Sequence, residues 1–138
     1  MKIVLDTNLL LTCISPRSST HWLYKALFSG TLTLCVTTEI LDEYAEIIEW
    51  GFRSKGREVA DNVLEALILS PSTEQVTVYY LWGLITADYD DNKFVDCAIA
   101  AGAAYIVTED THFDVLNTIP FPAVQVVSIS VFRTILDM

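Results

Sequence analysis

The chain has 138 residues, 52% of them hydrophobic, and sets 18 Asp and Glu against 8 Lys and Arg for a formal net charge of −10. That length suits one domain over residues 1–138, and that apolar content excludes wholesale disorder. The charge argues against a protein that grips nucleic acid with its whole surface, because phosphate affinity comes from Lys and Arg; it favours an acidic site for cations or a basic partner.

The first element is Ile3, Val4 and Leu5, a short, partly β-branched apolar run that reads as a strand buried on both faces. It stops at Asp6, Thr7 and Asn8. In an open parallel sheet, ligands collect at the carboxyl ends of the strands, so Asp6 stands at a site edge; the alternative is that Asp6 and Asn8 cap the next helix. Leu9 to Ile14 starts a short helix, and Ser15 to Ser19 form a loop. A second helix runs through Trp22, Leu23, Ala26, Leu27 and Phe28, with Ser19 or Thr20 as its cap and Gly30 as its end. Leu32 to Val36 is the next strand, again ended by polar residues, Thr37 and Thr38.

A helix over about Glu39–Trp50 follows, with its apolar stripe at Ile40, Leu41, Tyr44, Ile47 and Ile48. A break containing Arg53 and Lys55 leads to a helix through Val59, Val63, Leu64, Leu67 and Ile68, stopped by Ser70-Pro71. Val76, Val78 and Tyr80 alternate as in an edge strand, and Leu81 to Ala87 fits either strand or short helix. Phe94, Val95, Ala98, Ile99 and Ala101 trace a helix closed by Gly102. Ala104 to Val107 is a buried strand ended by Thr108-Glu109-Asp110, Val124 to Val127 a last strand, and Val131 to Leu136 a last helix. Strands that alternate with helices predict an α/β fold around a parallel sheet.

Cys13, Cys35 and Cys97 are far apart, form no C-x-x-C pair and sit among apolar neighbours, which reads as buried, reduced thiols of a cytoplasmic protein. Asp6 and Asn8 interrupt the apolar start before a secretory signal develops. No unbroken apolar run approaches the ~18 residues of a membrane span, so no membrane partner is expected.

The acids carry the chemistry. Asp6 and Asp110 each lie just past an apolar strand, so parallel neighbours would aim both over one sheet edge. At roughly 100° per residue, Glu43 falls nearest the centre of its helix's apolar stripe and leans toward the sheet, whereas Asp42 points away; the alternative is an ordinary glutamate at the stripe's boundary. Asp91 falls on the Phe94/Val95/Ala98 side at its helix's start, as a cap, a ligand or both. Asp96 projects opposite that stripe, toward solvent, and Asp88 and Asp90 read as loop residues. Four carboxylates together repel, by about 4 kcal/mol for a pair ~4 Å apart near a protein surface, unless a cation joins them or some are protonated. An all-oxygen site suits magnesium or manganese. His21 and His112 have no zinc spacing. Such a site suits hydrolysis of phosphodiesters, with Thr7, Asn8 and Thr108 orienting ligands or water. Arg53, Lys55 and Arg57 form the one basic cluster, which either touches substrate or is a solvated connection.

The stretches K-I-V-L-D-T-N, T-T-E-I-L-D-E-Y and D-D-N-K-F-V-D-C-A-I-A-A-G-A-A-Y-I-V-T-E-D-T-H-F, in this order and spacing, resemble a PIN domain from the first strand to about Phe113. The resemblance implies a three-layer α/β/α sandwich and a metal-dependent ribonuclease whose acids are Asp6, Glu43, Asp91 and Asp110. Thr108 matches the family's hydroxyl residue before the last acid, and Asn8 its N-terminal polar partner. The subtype is similar to the VapC-like toxins of toxin–antitoxin pairs, which implies an RNA substrate, a homodimer and an antitoxin that covers the pocket. The rival readings are a non-catalytic PIN-like scaffold that binds RNA or protein, and phosphotransfer through an aspartyl phosphate. For the latter, a haloacid-dehalogenase-like site would need Asp where Asn8 stands, and a receiver domain would need paired acids at the first strand and a late lysine that the chain lacks.

Overall fold

A computed structural model describes residues 1–137. The first strand, β1 (Lys2–Leu5), is the middle of a five-stranded parallel sheet. Its neighbours are β2 (Thr33–Val36), with Ile3 opposite Leu34, and β4 (Tyr105–Val107), with Val4 opposite Ile106. The edges are β3 (Thr73–Gln75), beside β2, and β5 (Val126–Val127), beside β4. Ile3, Val4 and Leu5 are wholly buried, as an unbroken apolar run in a sheet covered on both faces must be.

The helices are α1 (Thr7–Cys13), α2 (His21–Leu27), α3 (Thr38–Gly51), α4 (Gly56–Leu69), α5 (Asn92–Ala101) and α6 (Ile129–Ile135). The chain steps from β1 to β2 to β3, then returns past β1 to β4 and β5. Right-handed crossovers therefore lay α1 to α4 on one face and α5 on the other, which makes the three-layer α/β/α sandwich the sequence predicts. No helix among the described residues is long and apolar enough to cross a membrane.

Local sequence explains most boundaries. Thr37 caps α3, its hydroxyl accepting the Ile40 amide at 3.1 Å. Gly102 closes α5 at φ +66°, where Ala103 N–H reaches the Ala98 carbonyl at 2.9 Å. Gly56 lets α4 start against α3, since a Cβ there would fall 1.8 Å from the Glu49 carbonyl oxygen.

The stretch after β3 departs from expectation. Val76 to Tyr80 is not an edge strand, and Leu81 to Ala87 is neither strand nor helix. The chain instead folds back over α5 and is tied there by side chains. Asn92 bonds both the amide and the carbonyl of Ile85 at 2.9 Å, and Asp96 accepts the Trp82 amide at 3.1 Å. Asp96 is consequently buried, not solvated as the helical periodicity suggests, because this returning segment covers its side of α5. The three cysteines are buried and unpaired.

Candidate active site

The strand order reverses between β1 and β4. At such a switch point the two connections leave in opposite directions and open a crevice beyond the strands' carboxyl ends. Asp6 and Asp110 enter this crevice from the two central strands. A cavity of about 400 Å³ there is lined by Asp6, Asn8, Leu9, Thr12, Glu109 and Asp110.

Asp6 occupies the cap position of α1, but its side chain makes no cap bond. Its backbone instead continues the sheet, with N–H to the Val107 carbonyl at 3.1 Å, and its Oδ2 accepts the Thr108 hydroxyl at 2.7 Å. The Thr108 oxygen in turn accepts the Asp110 amide at 3.0 Å. One hydroxyl thus fixes the carboxylate of one strand against the backbone of its neighbour. A fully buried Tyr44 adds a tie from α3, donating its phenol to the Leu5 carbonyl at 2.6 Å, one residue before Asp6.

Glu43 leans inward from the second turn of α3, as its place on the apolar stripe predicts. Oε2 accepts the Thr7 hydroxyl, and Oε1 pairs with the Lys93 ammonium at 2.9 Å. Asp91 closes a 3-10 turn over Tyr89–Asp91 and leads into α5, again without capping it. The residue is only 9% exposed, and its buried Oδ2 makes no hydrogen bond of normal geometry. His112 Nδ1 lies 3.4 Å from that oxygen and 3.5 Å from Asp110 Oδ1, between two of the acids.

The charges act on one another. Burial raises the Asp6 carboxyl above its ordinary range; the Thr108 hydroxyl pulls it back, and the charges of Asp110 and Glu43 push it further up. Asp91 is pushed up to about 6, first by burial and then by the charges of Asp110 and Asp88; the His112 side chain pulls it back, and Asp6 adds a smaller push upward. Asp6 therefore lies within the electrostatic reach of all three other predicted acids. They share one crevice, but not one ion-sized point. Among the described residues, the set whose ligand atoms all lie within 4.8 Å of one another is Asp88, Asp91 and His112.

That set shows what sequence reasoning missed. Asp88 looks like a loop residue and His112 lacks metal spacing, yet both reach Asp91. Lys93 carries no signal beyond its place in the D-D-N-K-F stretch. Conversely, Arg53 follows Glu43 by ten residues along a helix rising ~1.5 Å per residue, so the basic loop begins about 15 Å from the acids and is not part of the crevice.

The residues fit a hard divalent cation. A buried carboxylate oxygen met only by a long contact, as Asp91 Oδ2 is by His112 at 3.4 Å, is costly by about 1–3 kcal/mol unless a ligand or proton completes it. Two carboxyls raised by burial and mutual repulsion are what a cation would relieve, and an oxygen-rich set suits magnesium or manganese.

Comparison with known proteins agrees with this fold. A family model described as the PIN domain matches residues 2–112. No curated protein sequence matches the chain. Among solved structures, VapBC2 from Rickettsia felis bound to a promoter DNA fragment is similar at 18% identity and a TM-score of 0.61, over 93% of this chain and 98% of that one. FitAcB from Neisseria gonorrhoeae is similar at 17% identity and a TM-score of 0.59, over 90% and 95%. The PIN domain endonuclease Utp24 is similar at 13% identity and a TM-score of 0.53, over 93% and 84%.

Proposed function

The chain belongs to the PIN domain family, and from that premise we propose that it is a magnesium- or manganese-dependent endoribonuclease, the toxin of a toxin–antitoxin pair. The observation that carries this reading is the buried Asp91 carboxyl, whose Oδ2 has only a long contact to His112 at 3.4 Å and which the charges of Asp110 and Asp6 press on. Asp6, Asp91 and Asp110 would hold the ion by turning their carboxyls toward one another, since their oxygens do not converge as they stand, with Glu43 at its margin, directly or through water. When bound, the ion supplies positive charge that acidifies a water and neutralises the scissile phosphate. It also reverses the field that the acidic crevice would otherwise turn against RNA.

The chain's own groups do the positioning. Thr108 holds Asp6 in one orientation through its 2.7 Å bond. Thr7 and Lys93 hold Glu43. Asp110 is steadied by the His112 amide at 2.9 Å. The expected products carry a 5′-phosphate and a 3′-hydroxyl. The VapC-like sequence resemblance, with the likeness to VapBC2 and FitAcB, supports an antitoxin partner. The same resemblance implies a homodimer, which light scattering would read, and the three unpaired thiols suit the cytoplasm.

The test is cleavage of an end-labelled single-stranded RNA by purified protein, titrated with Mn²⁺ and quenched with EDTA, beside Asp6→Asn. Metal-dependent cutting that the variant loses supports the reading. Cutting that ignores EDTA, or that survives in the variant, overturns it. RNA retained but uncut at every Mn²⁺ concentration would make the protein a binding scaffold.

A further inference from the structure

We propose that Lys93 is a positioning residue of this site, an internal cation that occupies Glu43 and keeps it out of the metal's direct ligand set; the inference rests on the nuclease reading. Lys93 sits in the first turn of α5, two residues beyond Asp91. Its ammonium lies 2.9 Å from Glu43 Oε1 and 3.8 Å from Asp90 Oδ1, and its side chain is only 10% exposed. A lysine that bound substrate phosphate would keep its ammonium in water, where an incoming anion can reach it. Removing this charge from water is costly, and the cost is offset only by close pairing with an acid.

Glu43 has both oxygens engaged. Oε2 takes the hydroxyl of Thr7, the residue directly after Asp6, and Oε1 takes Lys93. Three elements thus meet at one carboxylate: α1 through Thr7, α3 through Glu43 and α5 through Lys93. Two of them adjoin the strand end and the turn that carry Asp6 and Asp91. Asp91, by contrast, pairs with no lysine or arginine among the described residues, and its buried Oδ2 has only a long contact to His112 at 3.4 Å. The crevice therefore divides its acids into one that the chain neutralises itself and others left for an ion. Glu43 is placed to orient water beside the ion, and Lys93 sets that placement.

This division predicts opposite signs for metal binding and turnover. Lys93→Met removes a positive charge beside the acids and frees a carboxylate oxygen, so Mn²⁺ should bind severalfold more tightly. Turnover should fall tenfold or more, because Glu43 is no longer held, while the KM for RNA stays within threefold. Lys93→Arg keeps the charge and should recover most of kcat. Mn²⁺ affinity is read by calorimetry, below the midpoint of thermal unfolding measured for each variant in EDTA.

Weaker Mn²⁺ binding by a folded Lys93→Met protein would overturn the proposal, as would wild-type kcat. A tenfold rise in KM at unchanged kcat would also overturn it and make Lys93 a phosphate contact. If the wild type binds Mn²⁺ but cuts no RNA, the nuclease reading fails alone, and the calorimetric comparison still decides whether Lys93 excludes Glu43 from the ion.

Discussion

Two lysine–glutamate pairs stand at opposite ends of α5. At the amino end of the sheet, Lys2 meets Glu74 at 3.1 Å and reaches the Ala101 carbonyl in the last turn of α5 at 3.3 Å. At the carboxyl end, Lys93 meets Glu43 at 2.9 Å. The distances are nearly the same, but the surroundings are not. Side-chain exposure is 43% and 41% for the first pair against 10% and 25% for the second. Water screens the first, and it binds no other charged group. The second is largely shielded from water, and its Glu43 charge acts on Asp6, which is coupled in turn to Asp91 and Asp110. One sheet thus carries an ordinary surface pair at one end and an interdependent acidic centre at the other, and burial makes the difference.

That contrast can be broken by mutation. The largest effect is expected from Asp91→Asn, which should reduce Mn²⁺-dependent RNA cleavage by about 100-fold or more. The same change should stabilise the metal-free protein by about 1 kcal/mol at pH 7, since it removes a carboxylate that burial disfavours. Urea unfolding in EDTA reads this gain. A loss of stability instead would mean that Asp91 is a structural group.

Removing the two lysines should separate the ends next. Lys93→Met should cost about 1–3 kcal/mol, because Glu43 stays behind with only Thr7. Lys2→Met should cost no more than about 1 kcal/mol and less at high salt. Equal costs would show that the carboxyl end is as well solvated as the amino end.

The pH dependence sharpens the same point. The folded protein holds protons on Asp6 and Asp91 more tightly than the unfolded chain does, since both carboxyls are raised, Asp91 to about 6. Stability from these groups is therefore full below pH 4 and declines as pH climbs from about 4 to about 6, by on the order of 2 kcal/mol or less. Saturating Mn²⁺ should flatten that decline, and apparent Mn²⁺ affinity should weaken as pH falls below about 6. Stability curves with and without Mn²⁺ would show both. In Asp91→Asn the decline should shrink, whereas Lys2→Met should leave it unchanged, the smallest effect of the series.

Much of this was legible in one dimension. The apolar run Ile3–Leu5 of β1, followed by Asp6, implies a central parallel strand with an acid at its carboxyl end, and the structure agrees. The stripe on α3 singles out Glu43 among its acidic neighbours, and Glu43 does face the crevice. Periodicity failed where a distant segment intervened. Asp96 lies off the apolar stripe of α5, as the periodicity requires, but the Trp82 amide meets it there and it is buried. Residues 76–88 alternate like a strand at first, yet Asn92 and Asp96 hold them in irregular form.

The order of strands and helices, the acids at strand ends and the inward face of α3 follow from the sequence alone, because each depends on the repeat of a single element and on where apolar runs stop. The pairing of Lys93 with Glu43, the place of His112 between Asp91 and Asp110 and the unmet oxygen of Asp91 were decided by the tertiary structure. They depend on which remote side chains the crossovers bring within about 3 Å of one another, and on how much water the packing leaves there. Neither quantity is written in the spacing of residues along one chain segment.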